Sequence, residues 1–370
     1  MYSEDLKYQI GISLIPGIGN VLAKKLIAYA GSIEAVFREK KRNLLRIPGI
    51  GDYLAERISR QEVLIVAEKE VAFLERYKVR TYFYLDTDYP YRLRQCEDAP
   101  VVMFLKGEAD LDAAKILSIV GTRHATPYGK EHCEQIVGEL AARHPSLVIV
   151  SGLAYGIDIS AHKAALKHGL PTLAVLGHGL RHLYPPEHRN VARQIAAQGA
   201  LVTDFLSDMK PERNNFIKRN RLIAGLSDGT LVVESGVEGG ALITADIANS
   251  YNREVMALPG RAGDEYSEGC NALIRQNKAA LIEKAADIEY LLGWDADAAN
   301  QGKQGTLFPV LTSEEELLYD IIRSHQEIGI DDLCEKSGFS MQKTSALLLN
   351  LEFGDHIRCL PGKVYKLTGK

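Results

Sequence analysis

The chain has 370 residues, 46% of them hydrophobic and 25% charged, with 44 basic and 48 acidic side chains. At about 150 residues per domain this is two or three domains, with cores large enough to fold without disulfides or metals. The composition excludes a disordered, collagen-like or coiled-coil chain. A formal net charge of −4 excludes a strongly basic nucleic-acid coat but not a local basic site.

Cys96, Cys133, Cys270, Cys334 and Cys359 are odd in number and form no CxxC, which points to reduced thiols rather than a disulfide framework or zinc site. The first residues lack a basic region followed by an apolar core, so no secretion signal is expected. No apolar run approaches the roughly 18 residues of a membrane span. The expectation is a soluble, cytoplasmic protein without membrane contact.

Residues 1–80 contain an internal repeat. Ile15-Pro16-Gly17-Ile18-Gly19 with Leu22-Ala23 recurs as Ile47-Pro48-Gly49-Ile50-Gly51 with Leu54-Ala55, each copy between helical patterns. Glycines at both turn positions permit positive φ, and the helix that follows turns its positive end toward the turn. The pair looks like a helix-hairpin-helix (SAM-like) module, similar to those that hold DNA phosphates. The other reading is a hairpin whose turn only packs helices.

Residues 81–293 change texture. Thr81–Leu85 and Val101–Leu105 are β-branched or aromatic runs. Apolar runs then recur at Lys115–Val120, Leu147–Val150, Thr172–Leu176, Ala200–Thr203, Thr230–Val233 and Glu254–Leu258, the first five each followed by a helical pattern. That alternation predicts an α/β fold, an extended Rossmann-like, doubly wound parallel sheet, with ligands outside the carboxyl ends of its strands. Residues 294–312 are rich in Gly, Asn, Asp and Gln and are expected to be a linker. In 313–370, Ser313 to Glu316 opens a helix with a capping box. Helical patterns at Ile330–Lys336 and Ser340–Phe353 and short strands at His356–Leu360 and Lys363–Leu367 complete a winged-helix pattern.

Five loops of the middle domain carry chemistry. Gly121-Thr122-Arg123 stands where a dinucleotide fold has its glycine fingerprint, but the arginine blocks close pyrophosphate approach and suits a bidentate phosphate grip. No cofactor is therefore expected. Ser151-Gly152 opens a second small-residue loop, in which Asp158 braces the turn and His162 can be structural. His178, His182 and His188 lack the spacing of a metal site. The segment with Arg213, Phe216, Lys218, Arg219, Asn220 and Arg221 is expected to be a loop whose cations meet phosphates and whose ring stacks on a base. Gly239-Gly240 precedes a helix and forms an anion cradle.

The ordered motifs SIVGTR, SGLAYGID, VLGHGL with YP, KRNRLIAGLS, ESGVEGGALITA and REVMALPG resemble those of the bacterial DNA-processing protein A (DprA/Smf) family, over nearly the whole chain. Departures are Ile217 where the family has proline, Gly240-Ala241 where it often has Gly-Ser, Arg181 where an acidic residue is common, and Thr203-Asp204 where it reads Ser-Glu. The resemblance implies a non-catalytic, homodimeric single-stranded DNA-binding protein that protects incoming DNA and helps load RecA in natural transformation. It implies DNA contacts at Gly121, Thr122, Arg123, Ser151, Gly152, Phe216, Lys218, Arg219, Asn220, Arg221, Gly239 and Gly240, and no metal. The segment from Val255 to Ile282 is a candidate dimer surface. The alternative is an enzyme of the nucleoside-monophosphate phosphoribohydrolase type, which needs a carboxylate beyond Glu238 beside the glycine loop.

Overall fold

The computed structural model describes residues 5–294, 311–325, 327–353, 356–360 and 363–367. It divides after Trp294 into two compact units. The expected linker lies outside the described residues over 295–310, whereas its first residue, Trp294, is buried in the core beneath the sheet.

The first unit opens with six helices: α1 (Leu6–Leu14), α2 (Asn20–Ala30), α3 (Ile33–Arg38), α4 (Lys41–Leu44), α5 (Asp52–Arg60) and α6 (Val63–Tyr77). The repeat folds as two equivalent turns. Ile18 N–H donates to Ile15 O and Ile50 N–H to Ile47 O, both at 3.0 Å. Only the first glycine of each turn has positive φ, Gly17 at 90° and Gly49 at 93°. Gly19 and Gly51 cap α2 and α5 in extended backbone, so the positive φ that glycine permits is used at only one of the two positions in each turn. The first turn docks on the sheet: Asn20 donates to Asp98 O and accepts from Val101 N–H.

The sheet holds β1 (Arg80–Phe83), β2 (Val102–Gly107), β3 (Ile116–Val120), β4 (Val148–Ser151), β5 (Thr172–Val175), β6 (Ala200–Thr203), β7 (Gly229–Val232), β8 (Glu254–Ala257) and β9 (Ala280–Leu281). Their order is β1-β2-β6-β5-β4-β3-β7-β8-β9. The run from β6 to β9 is parallel throughout. The two strands before it in sequence add an antiparallel edge, β2 on β6 and β1 on β2. Period-two alternation sends Ile116 and Val120 to one face and Leu117 and Ile119 to the other, so each face has its own core. The connecting helices are α7 (Tyr91–Arg94), α8 (Pro127–Arg143), α9 (Ile157–Lys167), α10 (Arg189–Gln198), α11 (Arg213–Gly225), α12 (Gly240–Ser250), α13 (Glu268–Arg275) and α14 (Ala285–Leu291). Residues of α11 and α12 pack in the first core and those of α8 and α9 in the second. The chain reverses its direction of winding between β3 and β7, which opens a crevice at their carboxyl ends.

The expected charged loop at Arg213–Arg221 is a correction: it is the first part of α11. Asn215, Arg219, Leu222 and Ile223 are buried at helical spacing. The buried arginine breaks the apolar pattern that would have shown the helix.

The second unit has α15 (Ser313–His325), α16 (Ile330–Ser337) and α17 (Met341–Phe353), with β10 (Glu327–Gly329), β11 (Ile357–Leu360) and β12 (Val364–Leu367) in the order β10-β12-β11, a winged helix. Strand β10 has no counterpart in the sequence reading. The capping box lies one residue earlier than expected: Thr312 Oγ1 accepts from Glu315 N–H at 3.3 Å, and the Glu315 carboxylate accepts from Thr312 N–H at 2.9 Å. Leu348 and Leu351 of α17 enter the core, while Leu349 is exposed.

Candidate single-stranded DNA interface

A cleft of about 690 Å³ lies outside the ends of β3 and β7. Gly121, Thr122 and Arg123 form one wall, Gly239 and Gly240 the opposite wall, and Arg213, Phe216 and Asn220 of α11 a third. The first wall is held by backbone. Thr122 N–H donates to Glu234 O at 2.7 Å, and Thr122 O accepts from Ile157 N–H at 3.1 Å. Arg123 is thereby left exposed at the rim. The eleven-residue α12 starts at Gly240, so its positive end opens into the cleft. Asn220 of α11 reaches Gly240 O at 3.4 Å and links two walls.

Phe216 is the aromatic element. Its ring lies 5.5 Å from Tyr184 and 5.9 Å from the Arg123 guanidinium, centroid distances that allow an aromatic pair and a cation–π contact. A side chain at Gly177 would meet the Phe216 ring at 2.6 Å, so the glycine makes its seat. His178 fixes the backbone that carries the other ring. Its Nδ1–H donates to Gly179 O and its Nε2 accepts from Tyr184 N–H at 3.2 Å. Burial lowers its pKa, which favours the neutral ring this bonding needs.

The floor is a buried arginine. Arg219 is 3% exposed, donates from Nη1 to Val175 O at 2.5 Å, and has no partner for Nε among the described residues. Its guanidinium occupies the space a side chain at residue 152 would take, since a Cβ on Gly152 would stand 2.0 Å from Nη1. Burial lowers Arg219 to about 10, which leaves it charged at neutral pH. Asp158 is buried beside it; desolvation pushes this carboxyl up and the guanidinium opposes that shift. Asp158 also accepts from Ala154 N–H at 3.4 Å, so it braces the loop as the sequence suggested.

The remaining expected contacts are elsewhere. Ser151 is fully buried and donates to Ile119 O at 2.6 Å. Gly152 serves Arg219 rather than the cleft surface. Arg221 turns away to pair with Asp204 and to donate to Asp98 O. Lys218 is exposed on another face of α11 and lines a different cleft. His162 is buried against Thr172, and His188 bonds Leu153 O. Sequence reasoning missed Tyr184, because the loop bearing it was weighed only for metal ligands. Arg213 was named in the basic run but not among the contacts that the resemblance implies.

The family described as DNA recombination-mediator protein A matches residues 80–293. The chain belongs to the DprA family. Residues 12–61 match the SAM-like helix-hairpin-helix tandem and residues 307–363 the DprA winged helix domain. The putative DNA processing protein DprA of Mycobacterium tuberculosis is 31% identical over 352 residues, which span 91% of this chain and 88% of that one. Protein Smf of Synechocystis is 34% identical over 291 residues, 77% and 72% of the two chains. The crystal structure of DprA from Streptococcus pneumoniae superposes with a TM-score of 0.63 at 30% identity, covering 78% of this chain and 98% of that one. DprA from Helicobacter pylori, whose structure concerns that protein's mode of single-stranded DNA binding, gives 0.53 at 29% identity over 59% and 97%. These relatives do not favour the phosphoribohydrolase alternative. Among the described residues no helix is long and apolar enough to cross a membrane.

Proposed function

We propose that this chain is a single-stranded DNA-binding protein of the cytoplasm that acts by holding DNA and not by catalysis. The observation that carries the reading is the switch-point cleft. It combines exposed cations, Arg123 and Arg213, the amino end of α12 and a ring pair fit for stacking on a base. Single strands are bound without regard to sequence by this combination of phosphate cations and aromatic platforms. Arg219 supplies a further charge from below, and Asn220, Gly239 and Gly240 shape the wall. The Helicobacter pylori relative supports the ligand class.

Within that reading, the chain protects incoming DNA and helps RecA load during natural transformation, as a homodimer. Family membership supports these roles. Leu281, half exposed on edge strand β9, lies within the candidate dimer segment 255–282. The test is a titration of labelled single-stranded and duplex DNA at two salt concentrations. Single strands bind more tightly, and Arg123→Ala lowers the salt slope by about 0.7. Equal binding of both DNA forms, or an unchanged Arg123→Ala variant with an intact fold, refutes the reading. Light scattering tests the dimer: a 40.8 kDa species alone at tens of micromolar excludes it.

A further inference from the structure

Helix α11 separates two clefts. Arg213, Phe216 and Asn220 face the switch-point cleft, while Asn215, Lys218 and Arg221 face a second cleft of about 780 Å³. Ile217, 43% exposed, belongs to the walls of both and forms a ridge between them. The far wall of the second cleft is the first hairpin turn, at Ile18, Gly19, Asn20 and Leu22. That wall is fixed in place by the bonds of Asn20 to Asp98 and Val101.

The second cleft suits a continuing polyanion. Its two carboxylates are already engaged, Asp204 by Arg221 and Asp98 by the Tyr251 hydroxyl. Lys218 has no ion-pair partner among the described residues and is exposed at the cleft. Lys24, outside the cleft lining, stands behind Asp98, anchored on Glu97 O at 2.9 Å. Met209 and Ile217 offer exposed apolar surface to bases. Cations beside apolar surface, in continuity with a nucleic-acid cleft, match a single strand better than a folded partner.

We infer that a single strand held in the switch-point cleft crosses α11 over Ile217 and continues along the second cleft. Arg123 and Lys218 then hold different nucleotides of one strand, and the first hairpin turn, but not the second, lines the DNA path. This rests on the proposed single-strand function.

The repeat supplies a matched pair of variants. Gly19 has φ −86° and ψ 176°, and Gly51 has φ −89° and ψ 177°, conformations open to any residue. A side-chain Cβ at either meets nothing within 4 Å. Gly19→Glu therefore puts a carboxylate in the cleft and Gly51→Glu puts one at the equivalent turn outside it, with equal demand on folding. The probes are fluorescein-labelled oligothymidylates of about 5 and about 15 nucleotides, within the span of known single-strand sites. The expected result with Gly19→Glu is an unchanged short-strand affinity and a roughly fivefold or greater loss for the long strand. Lys218→Ala lowers the long-strand salt slope by about 0.7, and Gly51→Glu behaves as wild type. The inference is overturned if Gly19→Glu binds the long strand like wild type, if Gly51→Glu loses as much, or if the short strand is lost equally. If wild type binds neither oligonucleotide, the proposed function fails as well. Short-strand binding with silent variants removes only the extended path.

Discussion

Replacing Phe216 by alanine removes the ring between Tyr184 and Arg123 while leaving the cations and the α12 amino end in place. Stacking of a base on an aromatic side chain contributes about 1–3 kcal/mol, a loss of roughly 5- to 150-fold in affinity. The substitution also frees Arg123 and Tyr184 from a cation–π contact and a tilted ring pair. Each is worth about 0.5–1.5 kcal/mol, so the remaining groups are less ordered before DNA arrives. A loss near the middle of that range, about thirtyfold, is expected. Phe216 is only half-buried, so the stability cost falls below the roughly 3–5 kcal/mol of a core phenylalanine. The assay is fluorescence anisotropy of a labelled oligothymidylate at fixed salt, with thermal melting as the fold control. Phe216→Trp retains the platform and should keep affinity within a few-fold. A folded Phe216→Ala that binds within twofold of wild type refutes stacking in this cleft. A loss that vanishes at high salt refutes it too, because stacking is not electrostatic.

Three further outcomes follow from the same geometry. Gly152→Ala places a Cβ against the Arg219 guanidinium and should cost about 1–3 kcal/mol of stability, read as a lower denaturant midpoint with unchanged m; an unchanged midpoint contradicts the packing. His162 is buried, with its pKa lowered to about 3 from 6.5. The unfolded chain takes up the proton first as pH falls, so the stability from this group is complete above pH 6.5 and is lost progressively toward pH 3. His162→Gln should flatten that fall by about one proton, and identical pH slopes in urea melts would show that the ring is not held neutral. Deletion after Gly305 should leave most single-strand affinity intact. Residues 313–370 carry 7 basic and 10 acidic side chains, and the one lysine of α17, Lys343, pairs with Glu314 at 2.6 Å. A folded, dimeric truncation with most affinity lost contradicts this.

The parts legible in the sequence were those whose signal is local or periodic. The two hairpin turns showed because Ile-Pro-Gly-Ile-Gly recurs, and the parallel strands because buried strands are continuous apolar runs. Gly121 to Arg123 and Gly239-Gly240 stood out because each follows such a strand. The fate of the basic run was not legible, because it depends on rotation about a helix axis that had not been recognised. At about 100° per residue, Lys218, Arg219 and Arg221 point three ways: to a second cleft, into the core and toward Asp204. Tyr184 joins Phe216 across more than thirty residues of sequence, through a loop conformation that His178 sets.

Arg219 shows why composition alone misplaces charge in this site. Burying a cation costs several kcal/mol unless its partners replace water. A leucine in its place would fill the floor without that cost. The chain instead keeps the guanidinium, gives it one carbonyl, sets beside it a carboxyl that burial pushes up against the pull of the guanidinium, and leaves Nε without a partner among the described residues. The result is a positive charge in low-dielectric surroundings below the cleft, with Arg123 adding the same sign from the rim. Asp158 and the Val175 carbonyl offset part of this charge, and a phosphate entering the cleft would offset more of it. The destabilising term in the fold is therefore the attractive term for the ligand. Arg219→Leu should raise or preserve stability while weakening single-strand binding, and a variant that loses stability but keeps affinity would place the arginine in the packing alone.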